Sequence, residues 1–216
     1  MNRLITVKGT GDLSLKPDLI VITMDLESKN WNYDKTMQLA TESIENLQNA
    51  IEIAGFEKKD LKTTRFSVNT NYESYKDKDG NYKSKFVGYI CKQGLKIEFD
   101  YDTRVMSDLL NAISKSPTKP EFRIRFSIKD ENAVSEQLLV NATTNARQKA
   151  EILAKASGVS LGNLVNIDYN WQELHLYSQL NYSVSYKEAL SRDFSPDIEP
   201  EDIDVSDTVS FVWEIH

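Results

Sequence analysis

Few residues of this 216-residue chain have the types and spacing that catalysis requires. The carboxylates Asp18, Asp25 and Glu27 lie near one another in the sequence, and Asp25 and Glu27 would share one face of a strand. Paired carboxylates can serve as general acid and general base. The same spacing describes any solvated strand face, so an enzyme built on these groups is one hypothesis among three.

Cysteine and histidine usage argues against thiol and metal chemistry. Cys91 is the single cysteine, so no internal disulfide can form, and its apolar strand context predicts a buried thiol. Only His175 and His216 could add imidazole ligands. We therefore expect no catalytic residues, no metal site and no cofactor.

Composition and charge restrict the class of partner. Lys and Arg number 26 against 33 Asp and Glu, a formal charge of -7 that opposes binding to nucleic acid or to an anionic membrane. Hydrophobic residues make up 40% of the chain, enough for a globular core. No apolar run reaches the length of a signal peptide or a membrane span, so we expect a soluble, cytoplasmic protein without membrane insertion.

Apolar periodicity predicts an α+β (α/β) protein, with antiparallel or mixed sheets and three main helices packed on them. Strands are predicted at 4–7, 19–26, 66–72, 86–99, 121–128, 164–169 and 205–215, and helices at 33–54, 103–116 and 130–157. Gly9 and Gly11 are interpreted as a turn between the first two strands, which would form a hairpin or lie side by side. A phosphate loop is rejected there because no helix follows the glycines.

Two patterns in the second half of the chain concern packing. The third helix carries a stripe predicted to be buried, formed by Leu138, Ala142, Ala146, Ala150, Leu153 and Ala154. Small residues on such a stripe allow close approach to a sheet or helix. Arg123 and Arg125 alternate with apolar residues on one strand; they could bind an anion, but arginines on a sheet face more often pair with acids on a neighbouring strand.

Two segments rich in tyrosine are candidates for interaction. A hairpin turn is predicted at Asp79-Gly80, between arms that carry few aliphatic residues and could protrude. A long irregular excursion is predicted at about 172–204, where a loop of this length is normally functional or mobile. The candidate interaction residues are Tyr75, Asp79, Gly80, Tyr82, Tyr177, Tyr182 and Tyr186.

Several short sequence motifs, which we call phrases, stand in a fixed order over most of the chain. The first are Ile5-Thr6-Val7-Lys8-Gly9-Thr10-Gly11, Lys16-Pro17-Asp18, Gly55 followed by Asp60-Leu61-Lys62-Thr63-Thr64, and Gly88-Tyr89. The later ones are Asn141-Ala142, Ala146-Arg147-x-Lys149-Ala150-x-x-Leu153-Ala154, Gly158, and Val205-Ser206-x-x-Val209-Ser210-Phe211. In this order they resemble the SIMPL-domain family, which is widespread in bacteria and includes an animal kinase-interacting signalling protein.

The resemblance implies a single domain over residues 1–216, interrupted by the excursion at 172–204. It implies self-association and brings no accepted catalytic motif. Many bacterial members are exported and are linked to the envelope and to stress tolerance, whereas the absence of a signal-like segment here favours the cytoplasm.

Three functional hypotheses follow. The first is a non-enzymatic scaffold or interaction protein that forms homo-oligomers. It would also bind another protein, of unknown identity, and would act in stress tolerance. The second is a small-molecule or peptide binder that uses the aromatic segment 172–204. The third is the carboxylate-based enzyme. Molar mass in solution separates the first from the second.

Overall fold

The computed structural model describes residues 3–170, 174–178, 182–184 and 199–216. The strands are β1 (Leu4–Leu15), β2 (Leu19–Asn30), β3 (Lys62–Lys76), β4 (Tyr82–Asp100), β5 (Glu121–Ser127), β6 (Leu161–Asp168), β7 (Tyr182–Val184) and β8 (Ile203–Ile215). The α-helices among these residues are α1 (Tyr33–Ile53), α2 (Thr103–Lys115) and α3 (Glu131–Ala156). The predicted α+β class, with three main helices, is confirmed.

The described residues fall into two compact units. The first unit is drawn from 1–18, 127–179 and 200–216, and the second from 19–126 and 180–199. The expectation that residues 1–216 form a single domain stays a prediction.

In the first unit α3 packs on an antiparallel sheet with the strand order β1-β8-β6. β1 and β8 pair without interruption from Leu4 opposite Glu214 to Leu15 opposite Ile203. The alternating residues Val209, Phe211 and Trp213 of β8 are buried against the alanines of α3. These three residues occupy every second position, so they form the inward face of β8.

The two glycines of β1 are not in a turn, so that interpretation was wrong. β1 runs straight through Gly9 and Gly11. A Cβ atom at Gly9 would collide with the carbonyl oxygen of Ala142 and lie 2.6 Å from Cβ of Ala146; one at Gly11 would collide with the carbonyl oxygen of Leu138. Glycine inside a strand often marks such close approach of another backbone, and here the other backbone is that of α3.

Polar side chains of α3 also bond the free edge of β1. Thr10 donates its backbone N–H to Oδ1 of Asn145 at 3.1 Å, and Nζ of Lys149 donates to the carbonyl of Lys8 at 3.3 Å. Nδ2 of Asn141 donates to the carbonyl of Asp12 at 3.4 Å. These donors and acceptors are four residues apart on α3, so the helix both covers the face of β1 and satisfies part of its edge.

The alanine stripe of α3 is confirmed with one exception. Leu138, Ala142, Ala146, Ala150 and Ala154 are buried. Leu153 is 48% exposed, because the run of four-residue steps places Ala150 and Ala154, rather than Leu153, towards the sheet.

The second unit has a sheet with the strand order β3-β4-β2-β5-β7, and its apolar face packs against α1 and α2. The core includes Ile22 and Met24 of β2, Leu95 and Ile97 of β4, and Ile124 of β5. β1 and β2 were expected to pair with each other or lie side by side. That expectation is wrong, because β1 pairs with β8 and β2 pairs with β4.

Helix ends follow the capping rules. The N-caps are Asn32, Asp102 and Asp130, each accepting hydrogen bonds from backbone N–H groups of the first turn. Gly55 and Gly158 follow α1 and α3 with φ angles of +93° and +71°. Aspartate and asparagine are favoured at helix starts because they accept these N–H groups, and glycine is favoured after a helix because it adopts a positive φ angle without steric cost.

We expect Gly9→Ala to lower the urea midpoint of unfolding, because a methyl group at Gly9 would force α3 away from β1. Ala146→Leu should do the same from the helix side. Overpacking of this kind typically costs about 1–3 kcal/mol. Glu151→Ala is the control: it removes one exposed ion pair with Arg147, at 3.1 Å, and should cost no more than about 0.5 kcal/mol. Three equal midpoints would contradict the close approach.

Candidate interaction surface on the β3–β4 hairpin

A long hairpin formed by β3 and β4 extends to the pair Lys76 and Tyr82. Asp77 organises its turn: Oδ1 accepts backbone N–H bonds from Asp79 at 3.0 Å and Asn81 at 2.9 Å. Its other oxygen, Oδ2, lies 2.9 Å from Nζ of Lys83. Gly80 has a φ angle of +83°, which glycine adopts without steric cost. The turn predicted at Asp79-Gly80 is confirmed.

The Lys83 ammonium, together with the backbone N–H groups of Asn81 and Asp79, lowers the pKa of the Asp77 carboxyl below its ordinary 3.8. All of these groups favour the charged carboxylate. The turn therefore depends on an ionised Asp77.

A β-bulge changes which side chains share a face of the hairpin. Asn71 pairs with Gly88, but Tyr72 pairs with Phe86, so Val87 is the extra residue. Phe86 and Tyr89 are three positions apart and would lie on opposite faces of a regular strand. The bulge brings them to one face, with ring centroids 5.5 Å apart.

Gly88 lets the end of β2 reach this face. Its φ angle is +120°, and a Cβ atom there would lie 2.8 Å from Cα of Trp31 and collide with the carbonyl oxygen of Asn30. The chain between β2 and α1 can therefore pass directly over the hairpin. Trp31 then contacts Phe86 edge-on, with 5.2 Å between the ring centroids.

Five aromatic residues consequently meet on one surface, which we term the aromatic cluster: Trp31, Tyr33, Tyr72, Phe86 and Tyr89. Besides the contacts above, Tyr72 meets Phe86 at 5.7 Å and Tyr33 meets Tyr89 at 5.4 Å between centroids. Trp31 is 62% exposed and Tyr72 57% exposed. The sequence analysis did not predict this cluster. The density of aromatic residues around Gly88-Tyr89 is a signal for it, but no sequence pattern indicates the bulge that brings the rings together.

The candidate interaction residues of the hairpin lie further out than the aromatic cluster. Tyr75 stands opposite Lys83 and is exposed. Tyr82 is also exposed, with Nζ of Lys76 5.0 Å from its ring centroid. Asp79 and Gly80 form the turn itself. Their role in an interaction stays a prediction.

Two described parts of the segment 172–204 pair with β5. Tyr177 bridges to Ser127, whose hydroxyl donates to the carbonyl of the buried Leu176 at 2.6 Å. Tyr182 begins β7, which pairs with β5. Tyr186 lies outside the described residues. The interaction role of these tyrosines stays a prediction.

The groups considered for catalysis have structural partners. Oδ1 of Asp18 accepts the backbone N–H of Lys129 at 2.8 Å. Glu27 lies 3.0 Å from Nζ of Lys29 and 3.6 Å from Nζ of Lys92. Cys91 is buried as predicted, and burial raises the pKa of its thiol, which disfavours the reactive thiolate.

Asp25 joins two strands through arginines. It lies 2.9 Å from Nη2 of Arg65 and 3.3 Å from Nη2 of Arg123. The prediction that an arginine of β5 meets an acid on a neighbouring strand is confirmed for Arg123. Within the described ranges, no three His, Cys, Asp or Glu side chains are grouped so that they could hold a metal ion.

Comparison with known proteins gives the family. Residues 5–213 match SIMPL, described as a protein of unknown function (DUF541). The chain therefore belongs to the SIMPL family, as its phrases indicated. It is 24% identical over 166 residues to the 26 kDa periplasmic immunogenic protein of Brucella melitensis and to that of Brucella abortus. Each match covers 76% of this chain and 65% of the relative, so it spans just under two thirds of their length.

The relatives correct the expected location. A cytoplasmic protein was predicted from the absence of a signal-like segment, but both relatives are named as periplasmic. The prediction is therefore contradicted. In the part of the chain that the structure describes, no helix combines the length and apolarity needed to cross a membrane.

We expect the hairpin turn to lose order in acid. Because the folded pKa of Asp77 is depressed, its contribution to the turn is complete above the unfolded value of 3.8 and is lost as the pH falls through the lower folded pKa. Carboxyl carbon NMR should give a midpoint below 3.8. Lys83→Gln removes the largest cause and should raise that midpoint. An unchanged midpoint in the variant would refute the role of Lys83.

Proposed function

We propose that this chain is a non-enzymatic interaction protein that self-associates through its β3–β4 hairpin. The observation that carries the proposal is the exposed aromatic cluster at the base of the hairpin. Large aromatic side chains dominate the energetics of protein interfaces, and contiguous exposed apolar patches on soluble proteins mark interaction sites.

The hydrogen bonding of the sheet edges favours the hairpin as the contact between copies, because, among the described residues, the edge of β1 is already partly bonded and that of β3 is not. α3 bonds the free edge of β1, and in the described part of the chain β3 pairs on one side only, with β4. The pairing of β3 with β4 is irregular at residues 63–65 and 71–72 and regular from 65 to 71, so the outer edge of β3 is regular over that stretch. An unpaired edge of this kind can pair with the same edge of a second copy around a two-fold axis.

The chemistry of the described residues supports a non-enzymatic role. Glu27 and Asp25 are engaged by cationic side chains, and Cys91 is buried away from solvent. A catalytic site needs a nucleophile or an acid–base pair that converges on an accessible pocket. We find no such arrangement among the described side chains.

The site of action is proposed from the relatives. Both are named as periplasmic proteins, and we propose that this chain likewise acts in the periplasm. A role in stress tolerance rests on the SIMPL family alone. It predicts that deletion of the gene lowers survival under envelope or oxidative stress and that the wild-type gene restores it.

Two variants test the contact. In the first, residues 75–83 are replaced by a two-residue Asn-Gly turn, which is compatible with the register because Ser74 stands opposite Ser84. In the second, Trp31 and Tyr72 are both replaced by Ser. Light scattering should show an oligomeric parent and a lower mass for each variant, while circular dichroism shows a retained fold.

Val165→Ser is the matched control, because Val165 is also an exposed apolar residue on an edge strand, β6. Its mass should equal that of the parent. A monomeric parent at tens of micromolar, where interfaces of about -6 to -7 kcal/mol become populated, would remove the proposal. Dissociation by Val165→Ser alone would place the contact on β6 instead.

A further inference from the structure

β3 carries a row of alternating side chains on the core side of its sheet. Phe66 stands opposite Gln93, which is two positions before the core residue Leu95 on β4. Because opposite residues of paired strands point to the same face, Phe66, Val68 and Tyr72 lie on the side that α1 covers. α1 packs over β2 and β4, and the row on β3 stays accessible: Phe66 is 53% exposed and Tyr72 57%.

The edge of β3 beside this row lacks the features that usually block strand pairing. Residues 66–72 include no charged residue and no proline, whereas natural edge strands are protected by charges, prolines or bulges. The extra residue of β3 is Thr64, and the later irregularity lies on β4, so β3 itself is regular beyond Arg65. The edge strand β6, by contrast, is irregular twice between Leu161 and Asn166. An unprotected edge bordered by exposed aromatic side chains predicts a partner strand.

The residues of β3 complement themselves in one antiparallel register, in which a two-fold axis passes through Asn69. Phe66 then lies directly opposite Tyr72 of the second copy, and this pair occurs twice because of the symmetry. Arg65 lies opposite Glu73, so opposite charges face each other. Aromatic pairs and pairs of opposite charge at directly opposite positions both stabilise an antiparallel sheet.

Neighbouring registers lose these pairs. With the axis at Val68, Phe66 would face Thr70, and with the axis at Thr70 it would face Ser74. An axis between two residues would set the inward side chains of one copy against the outward side chains of the other. The register centred on Asn69 is therefore the one that joins the exposed aromatic residues.

We propose that the β3 strands of two copies pair antiparallel around a two-fold axis at Asn69, which joins two five-stranded sheets into one. This inference rests on the proposed self-association and specifies its register. Phe66 of each copy extends the aromatic cluster of the other, because Tyr72 belongs to that cluster. The aromatic pairs decide the register, since Arg65 also contacts Asp25 of its own chain at 2.9 Å.

Disulfide formation between copies tests the register. Asn69→Cys places two thiols opposite each other on the axis, where Cα atoms of an antiparallel pair are about 4.5–5.5 Å apart, within the span of a disulfide. Mild oxidation should convert most of this variant into a covalent dimer on a non-reducing gel. The parent is the first control, because its single cysteine, Cys91, is buried and should not cross-link.

Ser67→Cys and Asn71→Cys are matched controls on the same face of β3, each two residues from the axis. Neither should cross-link alone, because the two copies of one position are four residues apart, roughly 13 Å along the strand. A mixture of the two variants should cross-link after subunit exchange, since Ser67 lies opposite Asn71. Equal cross-linking of all three single variants would indicate random collision and overturn the proposal.

Light scattering on the reduced proteins separates the register from the proposed function. A monomeric parent at tens of micromolar leaves the edge to a strand of another protein and removes both proposals. An oligomeric parent whose Asn69→Cys variant assembles without cross-linking refutes the register alone, and cross-linking of Ser67→Cys alone moves the axis to Ser67. If the reduced Asn69→Cys variant does not assemble, the mixture of Ser67→Cys and Asn71→Cys decides the register.

Discussion

The packing of α3 on β1 is the constraint on which the first unit depends. A helix can approach a strand this closely only where the strand has no side chains, and Gly9 and Gly11 supply that absence. The alanines of α3 complete the contact, and Asn145 bonds the strand edge. Two of the motifs that indicate the SIMPL family are therefore the two halves of one interface: the glycines of β1, and the alanines and spaced polar residues of α3.

Glycines also allow close approach in the second unit, where the groups that meet lie on the surface instead of in a core. Gly88 lets the backbone around Trp31 cross the hairpin, which assembles the aromatic cluster. Gly94 of β4 leaves room for Arg65 of β3 to reach Asp25 of β2. In both cases a missing side chain allows groups from non-adjacent parts of the sequence to meet. The proposed contact between copies follows from the first of these positions.

Local patterns predicted the elements well because their causes are local. The caps at Asp102 and Asp130, the turn at Asp79-Gly80 and the alternation in β5 all depend on neighbouring residues. Pairing and surface features depend on partners distant in sequence. Gly9 and Gly11 were therefore misread as a turn, since the helix they accommodate begins more than a hundred residues later, and the bulge at Val87 left no mark from which the aromatic cluster could be inferred.

If the aromatic cluster is the contact between copies, as we propose, the fluorescence of Trp31 reports on the contact itself. With Trp171→Phe and Trp213→Phe, Trp31 is the only remaining tryptophan. Acrylamide should quench it strongly at low protein concentration, since it is 62% exposed. Quenching should weaken as light scattering shows the molar mass rising, because a second copy then covers Trp31. A rising mass with unchanged quenching of Trp31 would contradict it.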